Sequence, residues 1–335
     1  MNALERVRTW LTARRRFEFV ATVATVIALT AITGALVLLP KSALPKMRPE
    51  PAAAQFAAPA LPADPQLAEV RRVMESYGPV VAQQVSGEDG QLSVVFGHPY
   101  QRGDVDTLAH EIGPAVDSVT ALWGPDWSRA AVVVVASSSA EFAALTHATG
   151  PVSSEVAAAS VSDPFLPGHR PTGQRVVFAA DAGRRLGTDG LRDTLRHELT
   201  HVAARAQTID GSPQWMLEGF AEYSAHRGEQ SSVAQLAPTL TARARSGVLP
   251  TDLPADADFA PTARNNAALA YEQAWSANAF TATQFGEPKL VDLYHRLATG
   301  PQTQPTLDNA LHDTLGIGHT TFVTQWRDWI KTHTA

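Results

Sequence analysis

The hydrophobic pattern divides the chain into stretches of different period. Phe19 to Leu39 is apolar on every side, 21 positions without a charge. As a helix rising about 1.5 Å per residue it spans roughly 31 Å, enough to cross a bilayer core. Pro40 to Pro65 is rich in Pro and Ala with little to bury, and reads as an extended, semi-rigid spacer. Helical spacing then runs through Leu67, Val70 and Met74, and again from Asp104 to Trp123 through Leu108, Ile112, Val116 and Leu122, with Pro114 marking a kink or a break. Gln91 to Phe96, Ala130 to Ala136, Val156 to Val161 and Gln174 to Ala180 read as strands. The second is a β-branched run of the kind buried in a sheet, and the serines after it can cap a helix starting near Glu141. If Gln174 to Ala180 lies at the sheet edge, its backbone can pair with an extended peptide.

From Leu191 to Arg205 the period is helical, and Leu191, Leu195, Leu199 and Val202 form one apolar stripe. His197 and His201 cluster roughly 140° from the centre of that stripe, with Glu198 between the two faces. A polar loop follows to Gly211, and Ser212-Pro213 supplies an N-cap and a first-turn proline for a second helix. That helix carries Glu218 and Glu222, four apart and on one face, able to point at the first helix if the two pack antiparallel. Arg227 to Arg264 is rich in Ser, Thr and Pro. Four helices then follow over 265–286, 288–299, 306–315 and 320–332, separated by Gly and Pro. The fold class is α+β: a mixed sheet, a motif helix and a helical C-terminal subdomain, with one N-terminal transmembrane helix.

Composition narrows the chemistry. The 335 residues include no cysteine, which removes disulfides, thiolate metal ligands, a cysteine nucleophile and a lipidated N-terminus together. The net charge of −6, without a long basic run beyond the first residues, argues against nucleic acid as a partner. Arg6, Arg8, Arg14, Arg15 and Arg16 precede the apolar run, and only Lys41, Lys46 and Arg48 follow it closely, so the N-terminus is cytoplasmic and the remainder extracytoplasmic. The run is longer than the usual apolar part of a signal peptide, which favours a retained single-pass anchor over cleavage. The expected layout is a basic segment 1–16, a membrane helix 17–39, a linker 40–65, a catalytic domain 66–263 and a helical subdomain 264–335.

His197-Glu198-Leu199-Thr200-His201 places two imidazoles one helical turn apart with a carboxylate beside them, the pattern of a zinc site with a general base. A catalytic zinc takes three protein ligands, and Glu218 or Glu222 can complete the set. His110-Glu111 has no second histidine and reads as a surface pair. His98, His147, His169, His226, His295, His312, His319 and His333 lack ligand-like spacing and read as solvated or structural. Asp163, Arg184 and Arg185 can touch substrate. Trp326 and Trp329 read as packing residues.

The segments HELTH and WMLEGFAEY together resemble the gluzincin metallopeptidases, especially the peptidase MA-like domains of bacterial membrane proteins. The resemblance implies a zincin-like fold and Zn2+, with His197, His201 and Glu218 as ligands and Glu198 as catalytic base. It implies a peptide or protein substrate. Ala270-Tyr271-Glu272-Gln273-Ala274 resembles the segment in which aminopeptidase relatives carry a tyrosine that stabilises the transition state, making Tyr271 a catalytic candidate beside Tyr223 and Tyr294. The sequence departs from the family in two ways. Sixteen residues separate His201 from Glu218, slightly fewer than is usual, and twenty separate it from Glu222, so spacing does not choose between them. The Glu-Gly-Phe-Ala-Glu-Tyr context favours Glu218 as ligand, with Glu222 hydrogen-bonding a ligand from outside. The Gly-x-Met-Glu-Asn segment that binds a free N-terminus is missing, so exopeptidase action has no support. Two functions follow: a membrane-anchored extracytoplasmic zinc peptidase, or a tethered binding and assembly module without turnover.

Overall fold

The computed structural model describes residues 65–87, 90–150, 153, 155–165, 169–260 and 267–335. The expected membrane helix and the spacer up to residue 64 lie outside these residues, and Pro65, read as the spacer's end, opens the first described helix. Among the described residues, no helix is long and apolar enough to cross a membrane.

Helix α1 (Pro65–Glu75) leads into β1 (Val81–Ser86), β2 (Leu92–Gly97), α2 (Arg102–Trp123), β3 (Val132–Val135), α3 (Ser139–Thr146), β4 (Ala158–Val161) and β5 (Arg175–Phe178). The five strands form one mixed sheet in the order β1-β2-β3-β5-β4. β2, β3 and β5 run parallel at its centre, and β1 and β4 pair antiparallel at its two edges. Alternation sends successive side chains to opposite faces. Val95, Val133, Val135, Val176 and Phe178 enter the larger core, while Val94, Phe96, Val134 and Val177 meet Leu67, Met74, Phe142 and Leu145 of α1 and α3 on the other face. Burial on both sides explains why the central strands are continuous apolar runs.

The placement of β5 corrects one expectation. Arg175–Phe178 pairs with β3 on one side and β4 on the other, so its backbone groups are used within the sheet. The edge is β4. β1 has no counterpart in the sequence reading, because Val81-Ala82-Gln83-Gln84-Val85-Ser86 carries a weak apolar signal.

The larger core also takes in the metal-motif helix α4 (Ala182–Ala204), interrupted at Gly187, where φ is +67°. That backbone conformation suits glycine, and it lets the segment bearing the histidines set its own direction after β5. Leu191, Leu195, Leu199 and Val202 are buried as their stripe required. Pro114 sits inside α2 without breaking it. A short turn leads to α5 (Gln214–Ala225), which starts one residue later than the sequence suggested. Ser212 does not cap it; its hydroxyl donates to Ile209 O and accepts the Gly300 N–H.

The Ser-, Thr- and Pro-rich segment contains two short helices, α6 (Val233–Leu236) and α7 (Pro238–Arg245), and a 3-10 turn at Asp256–Phe259. The last part comprises α8 (Ala267–Phe285), α9 (Glu287–Leu297), α10 (Gln304–Leu315) and α11 (His319–Thr334), close to the expected limits. Trp326 is fully buried and donates its indole N–H to Ser276, while Trp329 stacks on His333. Their side chains are packing residues, as expected.

Candidate metal centre

α4 and α5 run antiparallel, and their facing turns bring the chemistry together. Two contacts set their register: Thr200 Oγ1 meets Ser224 Oγ at 2.8 Å, and Arg196 donates to Ala225 O at 3.4 Å. The Nε2 atoms of His197 and His201 then lie 3.1 Å apart. Glu218 Oε2 is 3.4 Å from the first and 3.6 Å from the second. Glu222 takes the other side of His197, its Oε1 being 3.3 Å from Nδ1. The structure thus places Glu218 with the inward nitrogens of both histidines and Glu222 behind one of them.

Gly219 makes this placement possible. A Cβ at that position would overlap Asn278 Nδ2 and Ala274 O of α8. Its absence lets α8 come close beside Glu218, and Asn278 fastens the contact by donating to Trp215 O and Ala274 O.

The three-residue group fits a divalent metal. Glu218 is fully buried, and neither of its carboxylate oxygens has a hydrogen-bond partner. A buried carboxylate left in that state is costly unless positive charge compensates it. Burial raises the Glu218 carboxyl, but the charge on His201 and the closeness of both imidazoles outweigh it and draw the group down to about 2. Burial likewise pushes His197 down, and Glu218 and Glu222 reverse this, holding it well above the usual histidine range. The cluster favours positive charge at its centre, the demand that a cation meets. Two imidazoles and one carboxylate are the donor set of a catalytic zinc site.

Glu198 is 1% exposed with Oε1 unpartnered, and it borders a cleft of about 450 Å3 together with His201. One wall of the cleft is α4 continued through Val202 and Arg205. The facing wall includes Ala159, Ser160 and Val161 of the edge strand, and Leu217 and Tyr294 also line the space. Asp163 stands on this cleft, as its proposed substrate role requires. Arg184 and Arg185 do not line it: Arg184 is exposed beside Asp181, and Arg185 donates to the carbonyls of Glu155 and Val156. Among the described residues, none between 229 and 261 lines the cleft.

The tyrosines separate by their partners. Tyr223 donates to Glu287 and Tyr294 shares a hydrogen bond with Thr208, so both hydroxyls are engaged. The Tyr271 hydroxyl is buried on α8 without a hydrogen-bond partner. Burial, then the charges of Glu218, Glu222 and Glu198, raise it well above the ordinary phenol range and keep it protonated as a donor. Phe259 braces its ring edge-on at 5.1 Å.

Residues 187–332 match the sequence model of the Peptidase MA superfamily. Within these residues the chain is similar to the peptidase MA superfamily. No curated protein matches the chain. Among solved structures, an M1 zinc metallopeptidase from Deinococcus radiodurans is 15% identical with a TM-score of 0.41, over 77% of this chain and 53% of its own. A variant two-domain M1 zinc metallopeptidase bound to L-arginine also gives 15% and 0.41, over 76% and 52%. A variant of the Deinococcus radiodurans protein bound to a Tyr-Ser-Ala substrate gives 14% and 0.38, over 77% and 53%. The chain spans about half the length of these structures. Family similarity and donor set both point to Zn2+.

Sequence reasoning missed three residues near the centre. His226, read from the sequence as solvated or structural, forms a group with Asp193 and Glu229 whose ligand atoms lie within 4.8 Å of one another. The signal was the ladder spacing: Asp193 precedes His197 by four residues, and His226 follows Glu222 by four. His110-Glu111 is an exposed pair at 3.1 Å, as expected. His98 is a buried structural residue, its ring held by Pro79 O and Glu141.

Proposed function

We propose that this protein is a membrane-anchored, extracytoplasmic, zinc-dependent peptidase. The observation that carries the reading is Glu198: a buried carboxylate with a free oxygen, next in sequence to His197, opening on a cleft that it shares with His201 and an edge strand. His197, His201 and Glu218 would hold Zn2+, which supplies Lewis acidity, making water more acidic and a scissile carbonyl more electrophilic.

Glu198 takes the proton of the attacking water and passes it to the leaving amine. Tyr271 donates its O–H to the oxygen that gains charge, a contact worth about 2.7–4 kcal/mol in comparable sites. The side of β4 that pairs with no other described strand receives the substrate backbone as an added strand and so sets its depth in the cleft. The arginines ahead of residues 17–39 support a single-pass anchor with the catalytic part outside the cytoplasm.

The test uses the purified full chain, its zinc content and a broad peptide library, comparing wild type with Glu198→Gln. Bound zinc in both proteins and cleavage by wild type only are expected. Cleavage unchanged in Glu198→Gln, or absent from both, counts against an enzyme, and zinc binding without turnover in either protein favours a binding and assembly module. Protease accessibility in intact cells tests the topology; a protected catalytic part overturns it.

A further inference from the structure

We infer that His226, fixed by Glu229, is a positioning residue of the metal centre, acting on His197 through Glu222. The inference rests on the reading of His197, His201 and Glu218 as metal ligands.

The facing turns of α4 and α5 form a ladder. His201 meets Glu218 on one rung, and His197 meets Glu222 on the next. Asp193 stands near His226 on the third. Glu222 lies between two imidazoles and offers one oxygen to each: Oε1 is 3.3 Å from His197 Nδ1, and Oε2 is 3.7 Å from His226 Nε2. A carboxylate that accepts from Nδ1–H of His197 fixes the tautomer whose lone pair is on Nε2, the nitrogen that faces His201 and Glu218. Turning Glu222 away from His226 would also turn it away from His197.

His226 is itself held. Its Nδ1 lies 3.2 Å from Glu229 Oε2. The other oxygen of Glu229 is 3.8 Å from Arg196 Nη1 and 3.9 Å from Arg192 Nη2, so the chain of contacts that leaves α4 at His197 returns to α4 at its arginines. Burial disfavours charge on His226, but the Glu229 hydrogen bond, with Glu222 and Asp193 nearby, outweighs it and raises the group.

The outer rung also has the donor types of a second metal site. The guanidiniums argue otherwise. Arg192 Nε is 3.2 Å from Asp193 Oδ1, and Arg192 and Arg196 flank Glu229, so positive charge already compensates these carboxylates.

Zinc affinity of the full chain, measured in detergent by chelator competition, tests the inference, with circular dichroism of each metal-free protein as the folding control. Losing a residue that orients a ligand from outside costs about 10–100-fold in metal affinity. Glu222→Gln is expected within that range and His226→Phe near its lower end, about tenfold. If His226 acts through Glu222, adding His226→Phe to Glu222→Gln weakens binding no further. His226→Gln, which keeps a polar side chain beside Glu222, recovers part of the affinity. Unchanged affinity in His226→Phe, full additivity in the double variant, or loss of a second zinc equivalent on His226→Phe would each overturn the inference. Absence of zinc binding by wild type instead removes the metal-site reading beneath it.

Discussion

Replacing Gly219 with alanine adds one methyl group where α5 meets α8. That Cβ would overlap Asn278 Nδ2 and Ala274 O and lie 2.6 Å from the Ala274 carbonyl carbon. Two of these three atoms belong to the backbone of α8 and cannot rotate aside, so the helices must separate. Alanine gains about 1 kcal/mol over glycine inside a helix. Overpacking costs about 1–3 kcal/mol, and an unyielding backbone puts this site at the upper end. The net loss is about 1–2 kcal/mol, or a fall in Tm of roughly 2–8 °C. Because Glu218 adjoins Gly219 on α5 and Tyr271 lies on α8, separation also moves a ligand relative to the proposed oxyanion donor. Thermal unfolding of metal-free protein measures the first effect, and zinc competition measures the second. A Tm equal to or above wild type with unchanged zinc affinity would falsify the packing account.

Tyr271→Phe removes a buried hydroxyl without a hydrogen-bond partner; Tm should hold or rise while kcat falls about 10²–10³-fold, and a stability loss with normal turnover would refute that role. Glu272 is buried, and burial lifts its carboxyl from 4.5 to about 7 despite the hydrogen bond it accepts from Leu240 N–H. Between these values the folded state binds the extra proton, so this carboxyl's destabilising effect grows as pH rises from about 4.5 to about 7 and is constant above. Glu272→Gln should gain stability relative to wild type across that window in urea titrations, and a difference independent of pH would exclude it. Trp326→Phe leaves a gap and removes the indole bond to Ser276; a loss of about 2 kcal/mol is expected by denaturant unfolding, and less than about 0.5 would show that this contact contributes little.

The parts of the site that could be read from the sequence are those whose geometry is local. A period of 3.6 residues puts His197 and His201 on one face and Glu218 and Glu222 on another, whatever surrounds them. What the period does not contain is the register between the two helices. Thr200 against Ser224 and Arg196 against Ala225 set that register, and it brings Glu218 to the inner nitrogens and Glu222 to the outer one. For the same reason His226 looked unremarkable: its partners Asp193 and Glu229 come together only once α4 lies beside α5. Strand order is equally non-local. Val176-Val177-Phe178 read as a strand beside the motif, yet burial on both faces belongs to an interior strand, which its proximity to the motif obscured. The short helices α6 and α7 had local signals, a capping box at Ser232 with Gln235 and a proline at Pro238. The anchor of α7 is Glu272, which accepts the Leu240 N–H from 32 positions downstream.

The edge position of β4 has a consequence for solubility. A strand whose outer side pairs with no other described strand is open to the edge of another molecule. Ala158–Val161 is only four residues long, and the chain beyond it continues through Asp163 and Pro164. A short strand ended by a charge and a proline gives a neighbouring sheet little length to copy. Lengthening β4 with apolar residues, or replacing Asp163-Pro164, should therefore produce aggregation, measured by light scattering of the purified protein.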